Sequence, residues 1–288
     1  MAALPLHLAG GIPTLSSSIP IGPFQLSRVD RPVHDHGPPE VPSLHQISKG
    51  TTWVTAVAAT HTGYNWQEVQ RHAFRDLDQL CGLLSVAFDA CVVVRDAPRP
   101  RELSAPSVPE KPLPWQCALD LTESGECPPV PVNTAEIPPW LASAWQSTNS
   151  HQWLANALAM HHQGLQIEFD HPTMALVAYV SAVEALGNRL PKPDRCPTCR
   201  SDIKVRERFE TALRQALSDD HAARLTAIYP NHSKTVHQGR LHANEAVPGV
   251  LGPTLVNPGQ DFQFGILRQL RHASADLLTQ SLRADHDA

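Results

Sequence analysis

Beyond residue 138, apolar side chains return at three- and four-residue steps almost without interruption, the mark of amphipathic helices. Trp140–Gln146 is short. Ser150 is placed to cap a helix carrying Trp153, Leu154, Ala157, Leu158 and Met160. Asp170 is placed to cap the next, with Pro172 tolerated in its first turn and Gly187 as its stop. Met174–Leu186 within it is apolar over most of its circumference, so it belongs in the middle of a bundle rather than on its surface. Ile203–Leu217 carries Val205, Phe209, Leu213 and Leu217 at steps of four, and His221–Ile228 continues or follows it. Phe262–Leu282 closes the domain with Ile266, Leu270, Ala273 and Leu277 on one face. The expectation is a bundle of four to six helices over residues 138–288.

The first half reads differently. Thr51–Thr60 is β-branched and apolar, as suits a buried strand. Asn65 follows as a helix cap, with Glu68 three residues on to reach back to orphan backbone donors. Trp66, Val69, Ala73, Leu77, Leu80, Leu84 and Phe88 then trace an amphipathic helix. Cys91–Arg95 and Trp115–Leu121 read as strands. Residues 1–135 are therefore expected to form a small α/β unit with proline-rich loops, making the whole chain α+β. Of two proline-rich stretches, Ala97–Pro114 and Pro128–Pro139, the second is the better boundary, because the pattern changes after it.

Composition narrows the class. Hydrophobic residues at 42% and charged residues at 18% are ordinary for a globular chain, whereas 27 prolines imply long connections between packed pieces. No stretch approaches the roughly 18 apolar residues needed to cross a bilayer. Met1–Gly11 has no basic leader and is interrupted by Pro5, which makes a poor secretory signal. The six cysteines are scattered apart from Cys196 and Cys199, so a disulfide framework is not expected. The chain reads as cytoplasmic, with no membrane partner.

A net charge of −5 gives no global attraction to nucleic acid. Between Arg189 and Glu245, however, eleven Lys or Arg face seven Asp or Glu, a local charge of +4. That window also holds four of the 16 histidines, between His221 and His242. It points weakly to a phosphate-bearing partner. Solvated helix faces with pairs such as Arg206–Glu210 account for it more simply, and on this feature alone that reading is preferred.

The helix ALVAYVSAVEALGN, a cysteine-bearing loop and then Ile228-Tyr-Pro-Asn-His-Ser-Lys-Thr-Val-His-Gln-Gly239 resemble a HEPN domain of the ApeA-like group. The resemblance covers residues 140–283. It implies a helical bundle that dimerises, and for many members a metal-independent ribonuclease or a component of a defence or toxin system. In that family an Arg-Ser-x-x-x-His segment follows a tyrosine-containing helix end. His237 stands at the histidine position and Ser233 at the small polar one, but His232 stands where the family has arginine.

The residue types fit the chemistry. Cleaving RNA through its own 2′-hydroxyl needs a group that exchanges a proton near neutral pH, which imidazole does. It also needs a cation for the charge developing on phosphorus, which arginine supplies permanently and an exposed imidazole at pH 7 mostly does not. Three readings stay open. His232 and His237 form an acid–base pair, with Lys234 or Arg240 as the cation and Asn231 as a neutral donor. Alternatively the site is a weakened, RNA-binding or dimerising descendant, a catalytically inactive interaction module. Or the histidines are incidental. Five residues on one helix place His232 and His237 about 140° apart, so a shared site requires a break between them or a second protomer.

Arg195-Cys-Pro-Thr-Cys-Arg200 has no preceding βαβ unit and is a poor redox motif. Cys196 and Cys199 have the spacing of two ligands of a structural, tetrahedral zinc site, against the plain alternative of a reduced, metal-free turn. No cofactor is expected for catalysis. Cys81 and Cys91 read as packing residues. The adjacent His161 and His162 are poor joint ligands. Glu184, in the apolar helix, needs a partner, and Arg or His from Tyr229–His242 is the natural candidate.

Overall fold

The computed structural model describes residues 2–5, 13–15, 19–27, 53–54, 56–94, 98, 133–135, 137–168, 170–187, 205–242, 245 and 265–284. The chain divides into two compact units, Met1–Trp145 and Gln146–Ala288, the division falling inside a helix that runs over Leu141–Ser150.

The described residues of the first unit join short strands to one long helix. Strands β1 (Ala2–Pro5), β2 (Pro13–Leu15), β3 (Ile19–Ile21), β4 (Phe24–Ser27), β5 (Trp53–Val54) and β6 (Ala56–Ala59) precede helix α1 (Trp66–Phe88), and β7 (Ala90–Val93) and β8 (Asn133–Ala135) follow it. Among the described residues these form three small sheets, ordered β5-β1-β7, β3-β4-β6 and the parallel pair β2-β8. The one strand expected over Thr51–Thr60 is thus divided: Trp53–Val54 pairs with Ala2 and Ala3, whereas Ala56–Ala59 pairs with Phe24–Ser27. The strand expected over Trp115–Leu121 lies outside the described residues.

Helix α1 starts as its local sequence dictates. The Asn65 side chain accepts the Glu68 N–H at 2.9 Å, and Glu68 Oε2 accepts the Tyr64 N–H at 3.0 Å. At its end Asp89 adopts the left-handed conformation (φ 45°) that turns the chain back as β7. Ser85 fixes that return, because its hydroxyl donates to Cys81 O at 2.8 Å and accepts the Val92 N–H at 2.9 Å. Cys81 and Cys91 are both buried, and burial pushes the Cys81 thiol up to about 12. The β3–β4 turn needs glycine at position 22 twice over. Its φ is 56°, and a Cβ there would overlap the indole of Trp145.

The described residues of the second unit are helical, without strands. After α2 (Leu141–Ser150) come α3 (Gln152–Ile167), α4 (Pro172–Gly187), α5 (Val205–Ala216), α6 (Asp219–Thr226), α7 (Tyr229–Gln238) and α8 (Arg268–Ala284). Helix α4 is central, as its all-round apolarity requires: it packs against α3, α5, α7 and α8. Ala175, Leu176, Tyr179, Ala182 and Val183 on it are fully buried, and they meet Leu154, Leu158, Phe209, Leu213, Leu270, Ala273 and Leu277 in one core. Close approach of α3 and α4 depends on Gly164, where a Cβ would lie 2.6 Å from the Tyr179 ring.

The cap expected from Ser150 is replaced, and the start of the central helix gains a distant acceptor. Ser150 ends α2, donating to Gln146 O at 3.0 Å, and His151 enters α3 with no side-chain cap bond. At the start of α4, the Thr173 N–H bonds Glu245 Oε2 at 2.8 Å, a cap supplied from 72 residues away. Among the described residues no helix is long and apolar enough to cross a membrane.

Candidate functional site

The Tyr229–His242 segment forms α7 and the turn after it. Pro230 sits in the first turn of the helix, where its missing N–H costs no hydrogen bond. Gly239 ends it in the left-handed conformation (φ 65°), donating to Thr235 O at 3.0 Å. No break separates His232 from His237. They lie on one continuous α-helix, and the separation of about 140° given by helical rotation therefore stands.

Burial follows that rotation. His232 is half-buried, as are Asn231 and Ser233, and Thr235 is buried. Lys234, His237, Gln238 and Arg240 are exposed, along with Val236 (54%) and Leu241 (51%). The exposed side of α7 and its following turn thus presents imidazole, ammonium and guanidinium groups beside two apolar side chains.

The inner side is built around Glu184. Its carboxylate sits near the end of α4 between the buried Val183 and Leu186, where an unbonded charge is costly. Its partner is the Tyr229 hydroxyl, which donates to Oε1 at 2.5 Å. The expected segment supplies the partner, but with a phenol in place of Arg or His. Burial, then the Glu184 bond and charge, hold that phenol protonated, far above the usual tyrosine range. The Tyr229 ring lies against Phe209 at 5.3 Å and meets the His232 ring edge-on at 5.5 Å. His232 Nδ1 is buried, with no hydrogen-bond partner among the described residues. Burial lowers the proton affinity of His232, a charge on His237 lowers it further, and the Glu184 carboxylate opposes both.

The turn after α7 is anchored to the other end of α4. His242 is buried, with Nε2 2.9 Å from Thr235 Oγ1, and its N–H donates to Thr173 Oγ1 at 2.8 Å. Burial and the nearby Arg240 charge lower the proton affinity of His242, against a backbone bond to Asn231 and the Glu245 charge. Glu245 then receives the Thr173 N–H and lies 3.2 Å from His171 Nδ1. Sequence reasoning missed this anchor. The available signal was Thr235 together with His242, a hydroxyl and an imidazole flanking a left-handed glycine.

Among the described residues, no group of three His, Cys, Asp or Glu side chains converges to hold a metal ion. Cys196 and Cys199 lie outside the described residues, as do Cys117 and Cys127. His161 and His162 are both buried in α3, and His161 Nδ1 bonds Ser274 at 2.7 Å. Comparison of the chain with family models, with curated proteins and with solved structures finds no match.

Proposed function

We propose that the helical unit is an RNA-directed, HEPN-like domain that binds single-stranded RNA along α7 and cleaves it without a metal ion. The observation that carries this reading is the division of labour on that helix. Lys234, His237 and Arg240 are exposed together, while His232 is held behind them against Tyr229.

In the reaction proposed, an imidazole takes the 2′-hydroxyl proton as O2′ bonds to phosphorus. The P–O5′ bond breaks, and the leaving 5′ oxygen takes a proton from a second, protonated imidazole. The products are a 2′,3′-cyclic phosphate end and a 5′-hydroxyl end. Lys234 or Arg240 supplies the cation for the charge developing on phosphorus. Because His232 and His237 lie on different sides of α7, the reading takes a homodimer as the active form, with two copies of the helix facing one cleft. The HEPN resemblance adds a defence or toxin setting.

A second reading has its own observation. Val236 and Leu241 flank His237 and are about half exposed, which suits a protein partner. On that reading the unit is a catalytically silent dimerisation or interaction module. Labelled single-stranded RNA incubated with the protein in EDTA separates the two, with His237→Ala as control. Cleavage lost in the variant supports the nuclease. A protein that dimerises and neither cuts nor binds RNA is the module.

A further inference from the structure

The geometry points to a positioning role for Glu184 and Tyr229: together they orient His232 so that its imidazole exchanges the proton in RNA cleavage. This inference rests on the nuclease reading above. It addresses the position at which the chain departs most from the pattern it resembles, a histidine where arginine is expected.

Three observations converge. A single carboxylate on an otherwise apolar stretch of α4 spends one oxygen on Tyr229, in a short hydrogen bond of 2.5 Å. Its second oxygen makes no hydrogen bond to a described residue. The Tyr229 ring, braced by Phe209 of α5, meets the His232 ring in a T-shaped contact at 5.5 Å and restricts how that ring can turn. His232 Nδ1 is buried, with no hydrogen-bond partner among the described residues, so a substrate can reach this ring only through Nε2.

A general base needs a ring held in place, with the nitrogen that meets the substrate, here Nε2, able to accept and then release a proton. The charged or titratable groups acting on His232 are Glu184 from α4 and His237 from its own helix, with opposite signs. Tyr229 faces it as a neutral phenol, and α5 contributes the uncharged Phe209 through Tyr229. In the step proposed, the 2′-hydroxyl proton passes to the His232 imidazole as the O2′–P bond forms and the P–O5′ bond breaks. The other protonated histidine delivers a proton to the 5′ oxygen.

The test has two independent readouts on the full-length protein. Histidine side-chain NMR follows the titration midpoint of His232 in wild type, Glu184→Gln and His237→Ala. The expected result is a lower midpoint in Glu184→Gln, because the amide keeps the Tyr229 bond and loses the charge. A higher midpoint is expected in His237→Ala. A His232 midpoint that ignores Glu184→Gln overturns the positioning role even if RNA is cleaved.

The second readout is the pH profile of RNA cleavage. Its acidic limb is expected to move in Glu184→Gln in the same direction as the midpoint, and His232→Ala is expected to lose about 100-fold in rate. Tyr229→Phe, which keeps the ring and removes the hydroxyl, is expected to lower kcat more than it raises KM. Should the midpoint move while wild-type protein cuts no RNA, the nuclease reading falls with the catalytic role of His232, and only the electrostatic coupling remains. Thermal melts of each variant exclude unfolding as the cause of a lost signal.

Discussion

Arg271 Nη1 donates to Glu168 Oε1 at 3.2 Å, joining α8 to the end of α3 across 103 residues of sequence. The Tyr179 hydroxyl bonds the other oxygen of the same carboxylate at 2.6 Å, so three helices meet at one acid. Arg271 is 5% exposed and Tyr179 fully buried. Removing one partner of a buried pair leaves an uncompensated charge, at a cost of about 3–5 kcal/mol. Arg271→Ala is therefore expected to lower the urea midpoint by an amount equivalent to roughly 3 kcal/mol, at unchanged slope. The double variant Glu168→Gln/Arg271→Met is expected to be milder than the single. An unchanged midpoint in Arg271→Ala shows that the pair contributes nothing.

Gly164→Ala tests the close approach of α3 and α4. Alanine favours helix over glycine by about 1 kcal/mol. Here the added methyl falls 2.6–2.9 Å from three atoms of the Tyr179 ring, and overpacking of that kind costs about 1–3 kcal/mol. The clash is expected to win, because Tyr179 is fully buried and tied to Glu168. A lower melting temperature is the outcome; a higher one shows that the ring moves aside freely.

His161 predicts acid sensitivity. Burial, then the neighbouring His162, Arg271 and His272 charges, lower its pKa to about 3. Unfolded, the ring binds a proton below about 6.5. Between those values the unfolded chain holds the extra proton, so stability rises with pH across the window. His161 contributes fully above pH 6.5, and its contribution is lost as pH falls toward 3. Unfolding free energies at pH 7 and pH 5 are expected to differ by about 2 kcal/mol more in wild type than in His161→Gln. Equal pH dependence in the two proteins removes His161 from the account.

Thr235→Val keeps shape and deletes a hydroxyl that donates to Arg240 O at 3.0 Å and meets His242 Nε2 at 2.9 Å. Leaving those groups unsatisfied costs about 1–3 kcal/mol. Hydrogen exchange is expected to speed up at Arg240–His242 before it changes in α4. Uniform change throughout the bundle contradicts a local anchor.

These four tests also mark where sequence reading succeeded. The central place of α4 was legible because a helix apolar on all sides has only one stable environment. The Asn65–Glu68 start of α1 was legible because every participant lies within five residues. The cap assigned to Ser150 rested on the same local rules and failed for α3, where Ser150 instead ends the helix before it. At α4 the acceptor, Glu245, comes from another part of the chain, and no local window contains it. Glu184 was flagged as needing a partner in Tyr229–His242, but charge counting directs attention to cations, and a phenol donates without one. The Glu168–Arg271 pair was missed for the converse reason, since each residue viewed on its own helix resembles a solvated charge.

Helix α7 is fastened to α4 at both of its ends, by Tyr229 on Glu184 and by His242 on Thr173. A beam fixed at two supports neither slides nor rolls. The five-residue step from His232 to His237 thus keeps both its axial rise of about 7.5 Å and its turn of about 140°. One ring therefore stays exposed and the other half-buried, because no roll of the helix can exchange them.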